Sequence, residues 1–229
     1  MELITNFLSP FIGFFSVVFK YAPKFDKAIV YTLELSVFSI LLGTLIGLIV
    51  TSLKLTKLKF LQKIAYFYIS IVRGTPLLLQ LYFIFYGLPL IGLEFNSFTS
   101  AIIGLAFHNG AYISEIFRGS IVSIHYGQEE AARALGMSKF QSFFHIILPQ
   151  AFKRSVPSLG NQFIIAVKDS SLASVITITE ITLTARQFSA ATYNPFPILF
   201  IAGVYYYVII TILSKSLKRL ERRLKVDER

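Results

Sequence analysis

Residues 35–53 read LSVFSILLGTLIGLIVTSL, 19 consecutive positions without a charge between Glu34 and Lys54. Three more such runs flank it. Residues 74–93 and 95–114 hold 20 each, and residues 187–214 hold 28. A helix that crosses a bilayer needs roughly 20 mostly apolar residues. The stretch 155–177 is interrupted only by Lys168 and Asp169 and counts as a further span, because isolated ionisable groups in a bundle face its interior. Spans are therefore expected at about 29–52, 64–88, 97–117, 155–177 and 195–214, an all-α polytopic membrane protein with about five transmembrane helices. Residues 3–19 are also uncharged but carry Asn6, Pro10 and Gly13. They read as an N-terminal interfacial segment (1–27) rather than a sixth span. A removable signal peptide is not expected, since the run is too long and has no basic start.

Composition agrees. Lys and Arg number 22 against 12 Asp and Glu, a net charge of +10, yet 55% of residues are hydrophobic and only 15% charged. Mean hydropathy is +0.66. This excludes an intrinsically disordered chain. It also argues against a soluble nucleic-acid binder, because so apolar a chain places its cations at a membrane face. With no Cys, disulfides, thiolate metal sites and Cys nucleophiles are excluded.

Lys and Arg also orient the chain. Segment 54–63 carries Lys54, Lys57, Lys59 and Lys63, while 89–96 carries only Glu94. Segment 118–154 carries Arg118, Arg133, Lys139, Lys153 and Arg154, while 178–194 sets Arg186 against Glu180. A basic tail (218–229) ends the chain. The connections alternate, with the C-terminus cytoplasmic. Lys20, Lys24 and Lys27 then lie outside, against the rule. The largest non-spanning segment is the cytoplasmic loop, about 120–154. In it Gly136 is expected to stop one short helix and Ser138 to cap the next. Phe140, Phe143, Phe144 and Ile147 follow at helical spacing as one apolar face, before Pro149 and Pro157. Such a helix pair either sits in a groove of another protein or lies against the membrane surface.

The spacing in this loop is specific. Glu130-Ala131-Ala132, three residues, Gly136, nine residues, Ile146, one residue and Leu148-Pro149 resembles the EAA loop of ABC-importer permeases, with every fixed position present. Other segments resemble the polar amino-acid uptake branch. They are Thr32-Leu33 with Leu35-Ser36, Arg73-Gly74-Thr75-Pro76-Leu77-Leu78 with Gln80, Tyr86-Gly87-Leu88-Pro89, Ala111-Tyr112, Glu115-Ile116, Arg118-Gly119 and Lys168-Asp169-Ser170-Ser171-Leu172. Ser170 stands where Thr is commoner and keeps the hydroxyl. The resemblance covers residues 28–217 and implies a type I ABC importer permease fold. It also implies a bacterial inner-membrane location, a second permease subunit (identical or a sibling), an extracytoplasmic substrate-binding protein and two ABC ATPase subunits holding ATP and Mg. No cofactor is expected on this chain, which has no G-x₄-G-K-[ST] phosphate loop. Glu130 would face a basic residue of the ATPase, Ala131 and Ala132 would allow close approach, and Gly136 would permit the bend before Leu148 and Pro149.

Intramembrane polar groups are costly and are candidate site residues. Arg73 lies ten residues beyond Lys63, or about 15 Å at helical rise, near the midplane. His108 and Asn109 lie 11 and 12 residues beyond Ser97, and Lys168 and Asp169 lie 13 and 14 beyond Ser155. Transporters commonly bind substrate at such depth. Arg73 or Lys168 would meet a substrate carboxylate and Asp169 an ammonium. Asn161, Gln162, Ser170 and Ser171 would add neutral hydrogen bonds. Gly74 and Pro76 can break the second span. The plainer alternatives are that Lys168 and Asp169 neutralise each other, that Arg73 braces a turn, and that His108 makes a bundle hydrogen bond. No second His or carboxylate stands at metal spacing. Glu115 and Arg118, three apart, suit a local ion pair or a cytoplasmic gate contact. Glu180 and Arg186 lie outside, where they could touch the binding protein. The expected function is ATP-coupled alternating access for a polar amino acid. Another small polar solute, or a stand-alone secondary transporter, is the alternative; the latter predicts inverted repeats, and none is evident.

Overall fold

The fold is that of a computed structural model, which describes residues 2–225, with side chains from 11 to 224. The last four residues of the expected basic tail, 226–229, lie outside the described residues. Among those described there is no strand. The helices are α1 (Glu2–Tyr21), α2 (Asp26–Leu55), α3 (Lys59–Gly74), α4 (Leu77–Tyr82), α5 (Ser97–Val122), α6 (Tyr126–Ala134), α7 (Lys139–Ser142), α8 (Leu148–Asp169), α9 (Ile181–Thr192) and α10 (Pro195–Lys225). A wide π turn, Phe83–Gly87, extends α4, and another, Phe143–Ile147, joins α7 to α8. A tight helical turn, Ser170–Ile176, follows α8.

Among the described residues two helical runs are long and apolar enough to cross a membrane, 11–55 and 195–224; α3 with residues 77–91 makes a third if that bent pair is one span. The two remaining expected spans coincide with α5 and α8, which are more polar. The reason is position. α5 packs against α2, α3, α4 and α8, and its polar Ser100, Asn109 and Ser114 are buried. The expected second helix of the loop is not separate, since α7, the π turn and α8 run on without a break. α1 lies along α10, with the Phe14 ring 5.8 Å from Phe196 and 5.3 Å from Phe200. The Tyr205 hydroxyl donates to the Ala22 carbonyl at 2.8 Å.

α2 and α5 meet through small residues, which let two helices approach where lipid gives no hydrophobic drive. A Cβ on Gly47 would stand 2.7 Å from Ile113 Cγ2, and one on Gly110 would stand 2.6 Å from Ile46 Cγ2. The contact leaves no room for either. Thr51 Oγ1 donates across it to the Ser114 carbonyl at 3.1 Å.

Glu180 corrects one sequence expectation. It does not reach an outer partner, because it is fully buried. Its carboxylate caps α9, accepting from the Thr182 and Leu183 amides at 2.8 Å each, and accepts the Tyr206 hydroxyl of α10 at 2.7 Å. Burial pushes the carboxyl above its ordinary range, with these bonds opposing that shift.

Replacing Gly47 by Leu should overpack the α2–α5 seam, at a cost of about 1–3 kcal/mol or more; the thermal midpoint in detergent should fall clearly further than for Gly203→Leu, where an added Cβ meets open space. The raised Glu180 value sets a sign for pH. A folded value above the unfolded one gives stability that is full below the unfolded value, about 4.3, and is lost as pH rises through the folded one. The thermal midpoint of the parent minus that of Glu180→Gln should therefore decline with rising pH across that window. A flat or rising difference would show that the carboxyl is not shifted upward.

Candidate functional site

The break between α3 and α4 builds the first part of the site. Thr75 and Pro76 are extended, with ψ of 146° and 137°. Pro76 has no N–H, so carbonyls at the end of α3 lose their helical donors. Gln80 replaces those donors. Its Nε2 donates to the Val72 carbonyl at 2.8 Å, the Thr75 carbonyl at 3.1 Å and Thr75 Oγ1 at 3.0 Å. The amide oxygen of Gln80 lies 3.1 Å from His108 Nδ1 on α5, which makes that nitrogen the donor. The His108 ring lies 5.0 Å from that of Tyr112. The Arg73 guanidinium sits 5.6 Å over the same Tyr112 ring, a cation–π contact. The chain of contacts thus returns to the break it began from, with the exposed Arg73 at its rim.

A second cluster joins α5 to α8. Gln162 Nε2 donates to Asn109 Oδ1 at 2.8 Å, and both residues are buried. Asn109 Nδ2 has no hydrogen-bond partner among the described residues. The remaining candidates lie along α8 and at its end. Asn161 and Lys168 are exposed, and Asp169 and Ser171 are half-buried. The Ser170 hydroxyl is buried and donates to the Val167 carbonyl at 2.8 Å, and Ser171 donates to the Lys168 carbonyl at 2.6 Å. Both serine hydroxyls thus serve their own helix.

At the other end of α5, Arg118 Nε donates to Glu115 at 3.0 Å. This is the local pair expected from their spacing, with an addition. Lys54 Nζ, from the end of α2, binds the other oxygen of Glu115 and lies 4.7 Å over the Tyr66 ring. Lys54 and Gln80 are the site residues that spacing alone missed. Gln80 had a signal, as a lone amide four residues after Pro76 in an apolar run. Lys54 had none, since its partner stands 61 residues away.

The loop forms the third part. α6 ends in a Schellman turn, with the Met137 amide on the Ala132 carbonyl at 3.1 Å and the Gly136 amide on Arg133 at 3.0 Å. This turn requires a left-handed residue, and Gly136 supplies it at φ 88°. Ser138 and Gln141 then form a reciprocal capping box. Ala132 faces inward, while Glu130 and Ala131 are exposed. Leu148 and Pro149 start α8. The loop is seated by Gln150 donating to Gln128 Oε1 at 3.2 Å, and by Arg154 donating to the Ser123 carbonyl at 2.6 Å. Ile124, Ile147 and Ala151 pack beneath it. The apolar face of Phe140, Phe143 and Phe144 lines a groove of about 750 Å³ with Leu48 and Leu55 of α2.

Residues 29–226 match the family described as binding-protein-dependent transport system inner membrane component. The chain belongs to this family. It is similar to the arginine transport system permease protein ArtQ of Bacillus subtilis, at 38% identity over 93% of this chain and 98% of that one. It is similar to the glutamine transport system permease protein GlnP of Escherichia coli, at 36% over 92% and 97%. A crystal structure of an amino acid ABC transporter with histidines superposes with a TM-score of 0.87 at 38% identity, covering 92% of this chain and 98% of that one. The MetNI methionine ABC transporter, at 19% identity and a TM-score of 0.73 over 87% and 95% of the chains, shares the fold. The protein is thus an inner-membrane permease subunit of an ABC importer, with the type I fold. It is a transport component rather than an enzyme, and ATP hydrolysis belongs to a separate chain. An ATPase and a substrate-binding protein are its partners in general.

Replacing Gln80 by Leu in the permease should leave the Val72 and Thr75 carbonyls short of donors and release His108. The expected cost is about 1–3 kcal/mol for a buried group left unpaired, read as a lower thermal midpoint in detergent. Gln80→Glu, which keeps the shape and cannot donate to those carbonyls when ionised, should fall at least as far.

Proposed function

We propose that the permease imports a polar amino acid by ATP-coupled alternating access. The observation that carries this reading is the pairing of a solvent-facing Glu130-Ala131 surface on α6 with polar groups on the helices to which α6 is tied. Arg73 or Lys168 meets the substrate carboxylate and Asp169 its ammonium. His108, Asn109, Asn161, Gln162, Ser170 and Ser171 add neutral hydrogen bonds once the helices shift. Relatives named for arginine, glutamine and cystine transport support a substrate of this class. A second permease subunit, identical or a sibling, completes the pathway.

The loop and the C-terminus lie in the cytoplasm, as the alternation of Lys and Arg indicates. The chain divides into an N-terminal segment (1–27), a permease domain (28–217) with its coupling loop at about 120–154, and a basic tail (218–229). ATPase subunits carrying ATP and Mg dock on Glu130, Ala131, Ala132 and Gly136, with Leu148 and Pro149 at the root of the docking helix. Their closure turns the loop, and α5 and α8 with it, as a rigid body. Glu115 and Arg118 stand at the inner end of α5, where such a motion changes access.

Copurification and uptake test this together. Glu130→Lys should lose the ATPase that copurifies with the parent in mild detergent. Asp169→Ala should keep the ATPase but lower uptake roughly tenfold or more, as for one charged hydrogen bond. Normal uptake in either variant would remove the role assigned to that residue.

A further inference from the structure

Glu34 is a carboxylate that neither the transport site nor the coupling loop uses. It lies on α2 at the edge of the 35–53 apolar run, half-buried. Among the described residues the ion pairs join Lys54, Glu115 and Arg118, and none reaches Glu34. An ionised carboxylate at the margin of a membrane span, with no cation of its own chain beside it, is free to accept a cationic partner. The carboxylate lines a cleft of about 500 Å³, where the first turns of α2, the start of α5 and the turn following residues 170–176 meet.

The walls of this cleft are fixed. Ser97 Oγ and Thr177 Oγ1 are 3.0 Å apart and bridge two of the three segments. Thr177 is held left-handed at φ 70°. The side-chain oxygen of Asn96 is committed to the Thr99 amide at 2.8 Å. On the remaining side the rings of Tyr31 and Phe98 meet edge to face at 6.3 Å. A carboxylate beside two aromatic rings and a hydroxyl pair selects an ammonium or guanidinium group. Among the described residues no Lys, Arg or His lines the cleft. A free amino acid would therefore set its own carboxylate beside Glu34 with no cation to meet it. A Lys or Arg side chain carried on a protein brings the cation alone.

We propose that the Glu34 cleft is a docking socket for a basic side chain of the substrate-binding protein. This rests on the sidedness proposed above, which puts residues 89–96 and 178–194 outside. The socket acts on encounter and registration of the loaded binding protein, and the transport site deeper in the bundle acts on its cargo.

The test uses the assembled transporter in nanodiscs and its amino-acid-loaded binding protein, with ATPase stimulation as readout. Glu34→Gln should raise the half-saturating concentration of binding protein about 5- to 10-fold, and Glu34→Lys should raise it further. Basal ATPase and the maximal stimulated rate should stay at parental values. Added salt should weaken stimulation in the parent more than in Glu34→Gln. An unchanged half-saturating concentration, or a loss of basal ATPase instead, would overturn the proposal. So would altered binding of free arginine to the transporter without its binding protein, which would make the cleft a small-molecule site. Because the chain has no cysteine, Glu94→Cys reports sidedness through a membrane-impermeant maleimide on intact cells. Labelling from outside with unchanged stimulation refutes the socket alone, whereas labelling only after lysis refutes the sidedness and the socket with it.

Discussion

A backbone inside hydrocarbon has no water to satisfy its spare carbonyls, so every break in a spanning helix must be repaired from within the protein. The break at Gly74–Pro76 turns the chain by 109°. Gln80 makes that turn tenable, with one amide nitrogen shared among three acceptors around the bend. Once the nitrogen is committed, the amide oxygen is directed to His108. The position of His108 brings Tyr112 under Arg73. A requirement of the backbone thus fixes where the exposed Arg73 guanidinium sits, over the Tyr112 ring.

α5 is the element on which these demands converge. Its N-terminal half carries the His108 and Asn109 contacts, and its C-terminal half carries Glu115 with two cations. Between them it lies against α2 so closely that glycines are needed at the seam. Such a helix cannot also be apolar all round, which is why α5 falls short of α2 and α10 in apolarity. Its C-terminal end leads to α6 through Ser123, which Arg154 of α8 holds. The loop is therefore tied to α5 and α8 jointly, by hydrogen bonds and by the small cluster around Ile147.

Much of this was legible in the sequence because it rests on local rules. Charge-free runs reported the helices, and the left-handed requirement after α6 reported Gly136. The missing N–H of Pro76 reported the break. What was not legible depends on partners distant in the chain. Lys54 reads as one more loop cation until α5 is folded beside it. Glu180 reads as a surface acid because Glu is not among the favoured capping residues, yet the fold buries it under Tyr206. Spacing offered Gln162, Ser170 and Ser171 as neutral hydrogen-bonding site residues. It could not tell that Gln162 turns into α5 while the hydroxyls of Ser170 and Ser171 bond back to their own helix.

The docking of α1 on α10 has a consequence for biogenesis. The two helices stand at opposite ends of the chain, and the bond from Tyr205 to Ala22 spans 183 residues. At a synthesis rate of about 5–20 residues per second, α1 waits roughly 10–40 s for its partner to leave the ribosome. During that interval Phe14 lacks the Phe196 and Phe200 rings that pack against it in the folded chain. The later-made α10 therefore completes the packing of α1.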